Sequence, residues 1–263
     1  MNTFKKTLAV GSLVLTAPFA ATVTQAFEMP EMDVSANFTF ITDYKFRGIS
    51  QNDTSPALQG GFDVAFENGI YIGTWGSMVD FDDPDSSDAD MEVDYYIGYG
   101  GDITENVSYD IGYMYYDYPT SDETEFDLTG KRDLDYEEIY GSISYKDATL
   151  GFAYSDDYWL ETGKFFYVYG DYSFSLPYGI TMDLHYGYNS FEHDTDDSDP
   201  KDAEEAFLGD GEDSYSDYHI TFTKTIKGLD FSLSWMDTDL DSQECWDTDW
   251  CDSSVVFAIS KSM

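Results

Sequence analysis

Between residues 34 and 262 the chain repeats one pattern, in which apolar and polar residues alternate over stretches of roughly ten residues. Successive side chains of a β-strand point to opposite faces of its sheet, so this period of two is typical of strands that bury one face. In the stretch 229–235, for example, Leu229, Phe231 and Leu233 alternate with aspartate and serine. The chain is therefore predicted to be all-β.

The same pattern places twelve strands along the chain, at 34–42, 57–67, 70–80, 91–101, 107–118, 134–146, 148–156, 164–175, 180–191, 215–226, 229–238 and 253–262. The connections alternate between short turns and long acidic loops. The short turns lie near 67–69, 104–106, 146–148, 177–179 and 227–228. The long loops lie near 43–56, 81–90, 119–133, 157–163, 192–214 and 239–252. Because this alternation separates the connections onto two ends, it predicts one up-and-down sheet.

A soluble sandwich would point the apolar faces inward, whereas a membrane barrel would point them at lipid. Strand lengths near the ~9–11 residues that cross a bilayer favour the barrel, as does the even strand count. A sheet in lipid must also close, because every backbone polar group needs a partner. The predicted fold class is a closed antiparallel up-and-down transmembrane β-barrel of about twelve strands.

Aromatic residues near the strand ends also favour the barrel, since such residues form girdles at membrane interfaces. Those expected toward the long loops are Tyr115, Tyr118, Tyr136, Trp159, Tyr188 and Tyr218. Those expected toward the turns are Tyr71, Tyr109 and Tyr145.

The first residues have the features of a signal peptide. Lys5 and Lys6 precede a short apolar stretch, and small residues lead to a cleavage point after Ala26. The prediction is a signal peptide at 1–26 and a barrel at 27–263, located in the bacterial outer membrane. Cys245 and Cys251 would then reach an oxidising compartment, where a local disulfide is expected; two free thiols are the alternative.

The formal net charge of -41 limits the partners. Such an excess of acid would repel phosphates, so no nucleic acid is expected. Membrane lipid and lipopolysaccharide are the expected surroundings, and small hydrophilic solutes or cations are the expected cargo. The oligomeric state is left open.

Strand parity predicts which charged side chains line the lumen: Lys45, Arg47, Asp63, Asp94, Asp110, Glu138, Asp171, Asp183 and Asp230. Acids dominate, and charge rings of this kind set pore selectivity. Lys45 and Arg47 are placed near the long-loop end of the first strand. Two interpretations of Arg47 stay open, a constriction charge that faces acids across the lumen, or an ion pair with Asp43 or Asp63 that fixes the first hairpin.

Catalysis and cofactors find little support. No catalytic motif of the nucleophile-elbow or zinc-protease type occurs. His185 could approach Asp183, two residues away on one strand, but the favoured explanation of the pair is two polar residues that face the lumen. The acidic run 194–205 places carboxylates at several EF-hand positions, but Asp199 stands where the sharp turn needs glycine. Neither an enzyme nor a bound cofactor or metal is predicted.

The stretches 43–51 and 56–63, DYKFRGISQ and PALQGGFD, resemble the TorF family of porins. Residues 73–77 and 79–81 are similar to that family as well. The resemblance implies a Gram-negative outer-membrane barrel and a pore, but no substrate or site residues. One departure is the last residue, Met263, where such strands commonly end in an aromatic side chain.

The expected function is a porin-like channel for passive diffusion of small hydrophilic solutes, with cations favoured. Twelve strands should leave a narrow or partly plugged lumen, because eight are filled by side chains and ~16–18 enclose a wide channel. The alternative is a non-conducting outer-membrane surface protein whose acidic loops bind cations or a partner.

Overall fold

A computed structural model describes residues 32–81, 89–119, 124–126, 130–132, 134–192 and 207–263. The predicted signal peptide and the EF-hand-like run at 194–205 lie outside the described residues. Within those ranges, none of the helical segments has the length and apolar character needed to span a membrane.

Strands dominate the described residues. They are β1 (Met32–Ile41), β2 (Lys45–Phe46), β3 (Ile49–Ser50), β4 (Ala57–Phe66), β5 (Ile70–Met78), β6 (Met91–Thr104), β7 (Val107–Asp117), β8 (Thr124–Phe126), β9 (Gly130–Arg132), β10 (Tyr136–Tyr145), β11 (Ala148–Ser155), β12 (Lys164–Leu176), β13 (Ile180–Glu192), β14 (Ser214–Ile226), β15 (Leu229–Thr238) and β16 (Ser254–Ser262). Single turns of 3-10 helix lie at Trp159–Glu161, Pro177–Gly179 and Gly209–Gly211.

Twelve of these strands form a closed antiparallel barrel in the order β1-β16-β15-β14-β13-β12-β11-β10-β7-β6-β5-β4. The predicted fold class is confirmed, and the strand bounds differ from the prediction by a few residues. The short strands β2 with β3, and β8 with β9, form two small ribbons within long loops that the sequence pattern did not indicate.

The connections lie at two ends of the barrel. We call the end with the short connections the turn end, and the opposite one the long-loop end. At the turn end Lys146, Lys227 and Gly228 take left-handed backbone conformations, with φ of 54°, 54° and 76°. Such conformations match the twist of tight hairpins.

The two faces of the barrel wall differ in chemistry. Large apolar side chains such as Phe38, Ile97, Ile143 and Leu150 are 49%, 52%, 50% and 58% exposed on the outside. The strand β5, whose sequence pattern is ambiguous, follows the rule, because Ile70, Ile72 and Met78 are exposed and Ser77 is buried inside. Since strand side chains alternate, the wall has an apolar outer face and a polar inner face.

The first and last strands close the barrel through a short seam. Five residue pairs join β1 to β16, from Asn37–Ser262 to Ile41–Ala258, whereas ten join β1 to β4. Ala36 and Met263 extend the seam by exchanging two backbone hydrogen bonds of 3.1 and 2.9 Å.

Candidate functional site

The segment 42–56, which we call the inserted loop, folds into the lumen at the long-loop end. Its β2–β3 ribbon contacts strands on several sides of the barrel. The hydroxyl of Tyr44 donates to Glu92 on β6 at 3.0 Å, and Tyr215 on β14 donates to the carbonyl of Arg47 at 3.0 Å. Ile49 and Ser50 are only 5% and 1% exposed. The loop therefore lies inside the barrel wall.

Lys45 and Arg47, which are predicted near the long-loop end of the first strand, lie in the inserted loop. The strand β1 ends at Ile41, so neither residue belongs to it. The chain turns at Gly48, whose φ is +85° and where a Cβ would lie 2.4 Å from Thr238. Only glycine meets both the conformation and the close approach.

Arg47 forms a two-pronged ion pair with Glu138 on β10, with nitrogen–oxygen distances of 2.7 and 2.8 Å. The two side chains are 8% and 2% exposed. The guanidinium carbon lies 4.4, 4.5 and 4.6 Å from the ring centres of Phe46, Phe165 and Tyr167. Burial alone would lower the pKa of Arg47, but the Glu138 carboxylate outweighs it and raises that pKa well above its usual range.

Of the two interpretations of Arg47, the hairpin ion pair is wrong. Asp43 accepts instead from the hydroxyl of Ser50 at 2.7 Å, and Asp63 accepts from the hydroxyl of Tyr96. Arg47 faces an acid across the lumen, as the other interpretation expected.

Lys45 anchors the inserted loop to the connection between β15 and β16. Its ammonium donates to the carbonyls of Gly48, Trp250 and Asp252 at 3.3, 2.9 and 2.9 Å. Burial lowers the pKa of Lys45, while Asp43 opposes that shift. In the same connection Cys245 and Cys251 are joined as a disulfide, with Cα atoms 6.1 Å apart. The bonded cysteines thus lie next to the anchor of Lys45.

Aromatic side chains fill the space around the inserted loop. The ring of Tyr158 packs on Tyr136 at 4.8 Å and on Phe165 at 4.3 Å. Phe207 adds a contact to Tyr158 at 5.2 Å. Such pairs stabilise by about 0.5–1.5 kcal/mol each beyond their buried area. Together with the inserted loop, this aromatic cluster fills the long-loop end of the lumen in the described part of the chain.

The predicted aromatic girdle is therefore partly wrong. Tyr118 and Tyr136 are each 3% exposed and belong to this cluster, and Tyr71 points into the lumen. Tyr145 and Tyr188, at 58% and 45% exposure, lie on the outer face as expected.

Below the cluster, tyrosine rings cover glycines on the inner wall. The pairs, each from a tyrosine to a glycine on the neighbouring strand, are Tyr96–Gly73, Tyr71–Gly98, Tyr140–Gly112, Tyr169–Gly151 and Tyr167–Gly187. A Cβ at these glycines would lie between 2.1 and 2.4 Å from a tyrosine ring or hydroxyl atom. The glycines thus give the rings space against the wall.

His185 is the centre of a polar network on the inner wall. Its Nδ1 lies 2.6 Å from Asp171 Oδ1, and its Nε2 lies 3.1 Å from Asp217 Oδ1 and 2.7 Å from the hydroxyl of Tyr167. The suggested approach to Asp183 does not occur, because Asp183 instead accepts a bond of 2.5 Å from Ser173.

A cavity of ≈ 330 Å³ lies between the inserted loop and this network. Its lining includes Lys45, Arg47, Glu138, Tyr140, Tyr167, Tyr169, His185, Asp217 and His219. No group of three or more His, Cys, Asp or Glu side chains in the described ranges is arranged to hold a metal ion.

The seven predicted lumenal acids all lie on strands of the barrel wall. Asp110 accepts from Tyr71 at 2.8 Å, Asp230 accepts from Thr225 at 2.5 Å, and Asp94 is buried with its Oδ1 unpaired within the described residues. Glu92 and Asp217, both buried inside, are not among the predicted lumenal residues. Parity could have found them, since Glu92 shares the face of Asp94 and Asp217 that of His219. That these acids line an open pore stays a prediction.

Comparison with solved structures gives likeness of overall shape at low identity. The KdgM porin matches with a TM-score of 0.49 and 7% identity over 87% of this chain and 97% of that one. The NanC porin matches with a TM-score of 0.48 and 11% identity over 86% and 97%. OprD of Pseudomonas aeruginosa matches with a TM-score of 0.40 and 14% identity over 91% and 68%.

No curated protein matches the chain, and the resemblance to the TorF family stays a prediction. A family model described as "Bacterial protein of unknown function (Gcw_chp)" matches residues 26–263, nearly the whole chain. The chain therefore belongs to the Gcw_chp family of bacterial proteins.

Proposed function

We propose that this protein is a porin-like barrel of the bacterial outer membrane, through which small hydrophilic solutes pass by diffusion. The observation that carries the proposal is the contrast between the two faces of the closed sheet. Apolar side chains cover the outside, and a polar, acidic lining covers the inside. Exposing so large an apolar surface to water is unfavourable, whereas contact of that surface with lipid is favourable.

The finer part of the proposal is a preference for cations. The acids on the inner face of the described strands include Asp63, Glu92, Asp94, Asp110, Glu138, Asp171, Asp183, Asp217 and Asp230. Against them stand Lys45 and Arg47, each already bound to acceptors of the protein. Carboxylates in a confined lumen raise the local concentration of cations, and low-dielectric walls focus the field.

The inserted loop favours a second candidate, a non-conducting surface protein whose acidic loops bind cations or a partner. The loop and the aromatic cluster fill the long-loop end, so a solute must pass beside the inserted loop or displace it. For the channel, we infer that the loop moves. For the surface protein, it stays in place permanently.

Targeting belongs to the same proposal. Residues 1–26 would direct export, and 27–263 would form the mature barrel in contact with membrane lipid and lipopolysaccharide. The family match supports this division, because it begins at residue 26, next to the proposed cleavage point.

A bilayer recording of purified protein tests both candidates. A KCl gradient should give a reversal potential of the sign for K⁺ over Cl⁻. The preference should shrink at high salt, because the Debye length falls from ~10 Å at 0.1 M to ~3 Å at 1 M. Replacing Arg47 with glutamine should increase the preference, since it removes one of the two lumenal cations found among the described residues.

Folding is checked separately by running unheated and boiled samples on a detergent gel, where a closed barrel should migrate differently before heating. The wild type and variants that release the inserted loop should both be recorded. If protein that passes this check forms no channels in either case, the result would favour the non-conducting surface protein over the channel. Anion preference would contradict the assignment of the inner face as the selective surface.

A further inference from the structure

We propose that the cavity beside Arg47 is a binding site for small organic cations that carry an ammonium or guanidinium group. The inference rests on the proposed cation-preferring lumen and names its substrate class. The cavity of ≈ 330 Å³ is at the small end of the ~300–1,000 Å³ range of ligand pockets, so it suits a compact ligand.

A row of near-parallel rings forms one side of this cavity. Tyr167 and Tyr169 lie 5.4 Å apart, Tyr169 and His185 5.7 Å, and His185 and His219 4.5 Å, with interplanar angles of 26°, 27° and 4°. Glycines on the neighbouring strands hold the tyrosines against the wall, as at Tyr169 and Gly151. Aromatic rings attract cations to their faces, which carry the negative part of the ring quadrupole.

Carboxylates lie beside these rings. Glu138 and Asp217 line the cavity, and Asp171 lies behind His185 at 2.6 Å. Arg47 already binds Glu138, and His185 contacts Asp217, but each carboxylate has further lone pairs with which it can accept from a cation. A neutral apolar ligand would displace water from them without replacing its hydrogen bonds, which costs binding free energy.

The protein already holds one cation in this way. The guanidinium of Arg47 lies 4.4–4.6 Å from three ring centres while it bonds Glu138 in a two-pronged pair. A planar cation between aromatic faces and a carboxylate is therefore stable in this lumen. The proposed ligand would make the same kinds of contact, with aromatic rings and a carboxylate, in the cavity next to Arg47.

Two polar groups on the cavity wall are left for a ligand. Within the described residues neither the hydroxyl of Tyr169 nor the ring nitrogens of His219 make a hydrogen bond, although both residues line the cavity. Lys45 also lines the cavity, but three backbone carbonyls accept from its ammonium. The wall thus offers aromatic rings, unpaired acceptors and carboxylates with further lone pairs to an incoming cation.

The test is a calorimetric titration of the folded protein in detergent with tetramethylammonium chloride and, separately, with millimolar guanidinium chloride against a constant KCl background. Binding with a Kd of about 1 mM or tighter is expected for at least one of them. Tyr169→Leu should weaken it about tenfold, the factor that corresponds to one desolvated cation–ring contact. Tyr169→Phe, which keeps the ring face, should retain most of the affinity for tetramethylammonium.

The matched control is Tyr154→Leu, because Tyr154 lies on the outer face of β11 and is 37% exposed. It should bind as the wild type does. No binding by protein that shows the gel shift on heating, or equal binding by Tyr169→Leu, overturns the site. Binding without ion current would keep the site and overturn only the channel, whereas current without binding would overturn only the site.

Discussion

The two halves of the lumen are held together differently. In the half near the long loops, contacts of the inserted loop join residues far apart in sequence, such as Lys45 with Trp250 and Arg47 with Glu138, and the contact of Arg47 crosses the lumen. In the half near the turns, hydrogen bonds join neighbouring strands or strands that lie close together in the barrel order, as Tyr71 on β5 does with Asp110 on β7. Ser144 lies 2.9 Å from Thr149, and Thr221 lies 2.7 Å from Ser234.

The two kinds of contact therefore have different structural roles. Short hydroxyl pairs satisfy polar groups along the wall and leave the middle of the lumen to water. Contacts that cross the lumen hold a segment of chain inside it and exclude water there. The barrel can therefore stay closed as a sheet while the inserted loop is in place or displaced.

The largest expected effect comes from breaking the ion pair between Arg47 and Glu138. Arg47→Ala leaves a buried carboxylate without its partner, a loss of roughly 3–5 kcal/mol. That loss should fall on the packing of the inserted loop and not on the barrel strands. We expect a severalfold higher single-channel conductance, while the gel shift on heating is unchanged.

Two controls sharpen this prediction. Lys164→Ala removes an exposed ion pair with Glu192, 3.9 Å long, and should leave conductance unaltered because such pairs contribute ~0–1 kcal/mol. Thr221→Val removes a wall contact in the turn half and should likewise leave conductance near that of the wild type. If Thr221→Val raised conductance as much as Arg47→Ala, the two halves would not be separate.

A smaller effect is expected from reducing the disulfide between Cys245 and Cys251. The bond closes a short ring, so its loss should cost about 2 kcal/mol of local order. The carbonyls of Trp250 and Asp252 that hold Lys45 lie beside this bond. Reductant should therefore speed proteolysis within 239–253 and raise conductance modestly.

The variant with serine at both positions serves as the control, because it should show these properties without reductant and no further response to it. Identical proteolysis rates before and after reduction would mean that the disulfide does not order this connection.

The smallest effect is a pH dependence through Asp43. Burial raises the pKa of Asp43 above its ordinary value of 3.8, against a hydrogen bond from Ser50 and the charge of Lys45, while Asp249 adds to the rise. A raised pKa in the inserted state means that protons favour insertion. This stabilisation is complete below pH 3.8 and is lost as the pH rises through the raised pKa.

Conductance should therefore fall slightly on mild acidification, as measured on one channel at a series of pH values. Asp43→Asn should remove that part of the dependence. A variant that kept the full pH response would assign it to other groups.

How much of this the sequence predicts depends on how local each feature is. The strands, such as β13 and β15, can be predicted from the alternation of apolar and polar residues, because this alternation depends only on residues that are adjacent in sequence. The inserted loop has no such signal. Lys45 bonds Trp250, about two hundred residues away, and Arg47 bonds Glu138, 91 residues away, and both contacts form only after the barrel closes. The same reason placed Tyr118 and Tyr136 in the membrane girdle, because parity does not reveal that a loop fills the lumen beside them.

The seam between β1 and β16 has a consequence for the order of folding. In each other pair of the barrel the two strands are linked by one turn or loop, which for β1 and β4 is the inserted loop. These hairpins can therefore form early from nearby segments. The seam instead joins the first strand to the last, over more than two hundred residues, and such distant pairings are slow. With five pairs against the ten between β1 and β4, it is also the shortest join at the first strand. The barrel should close there last and open there first.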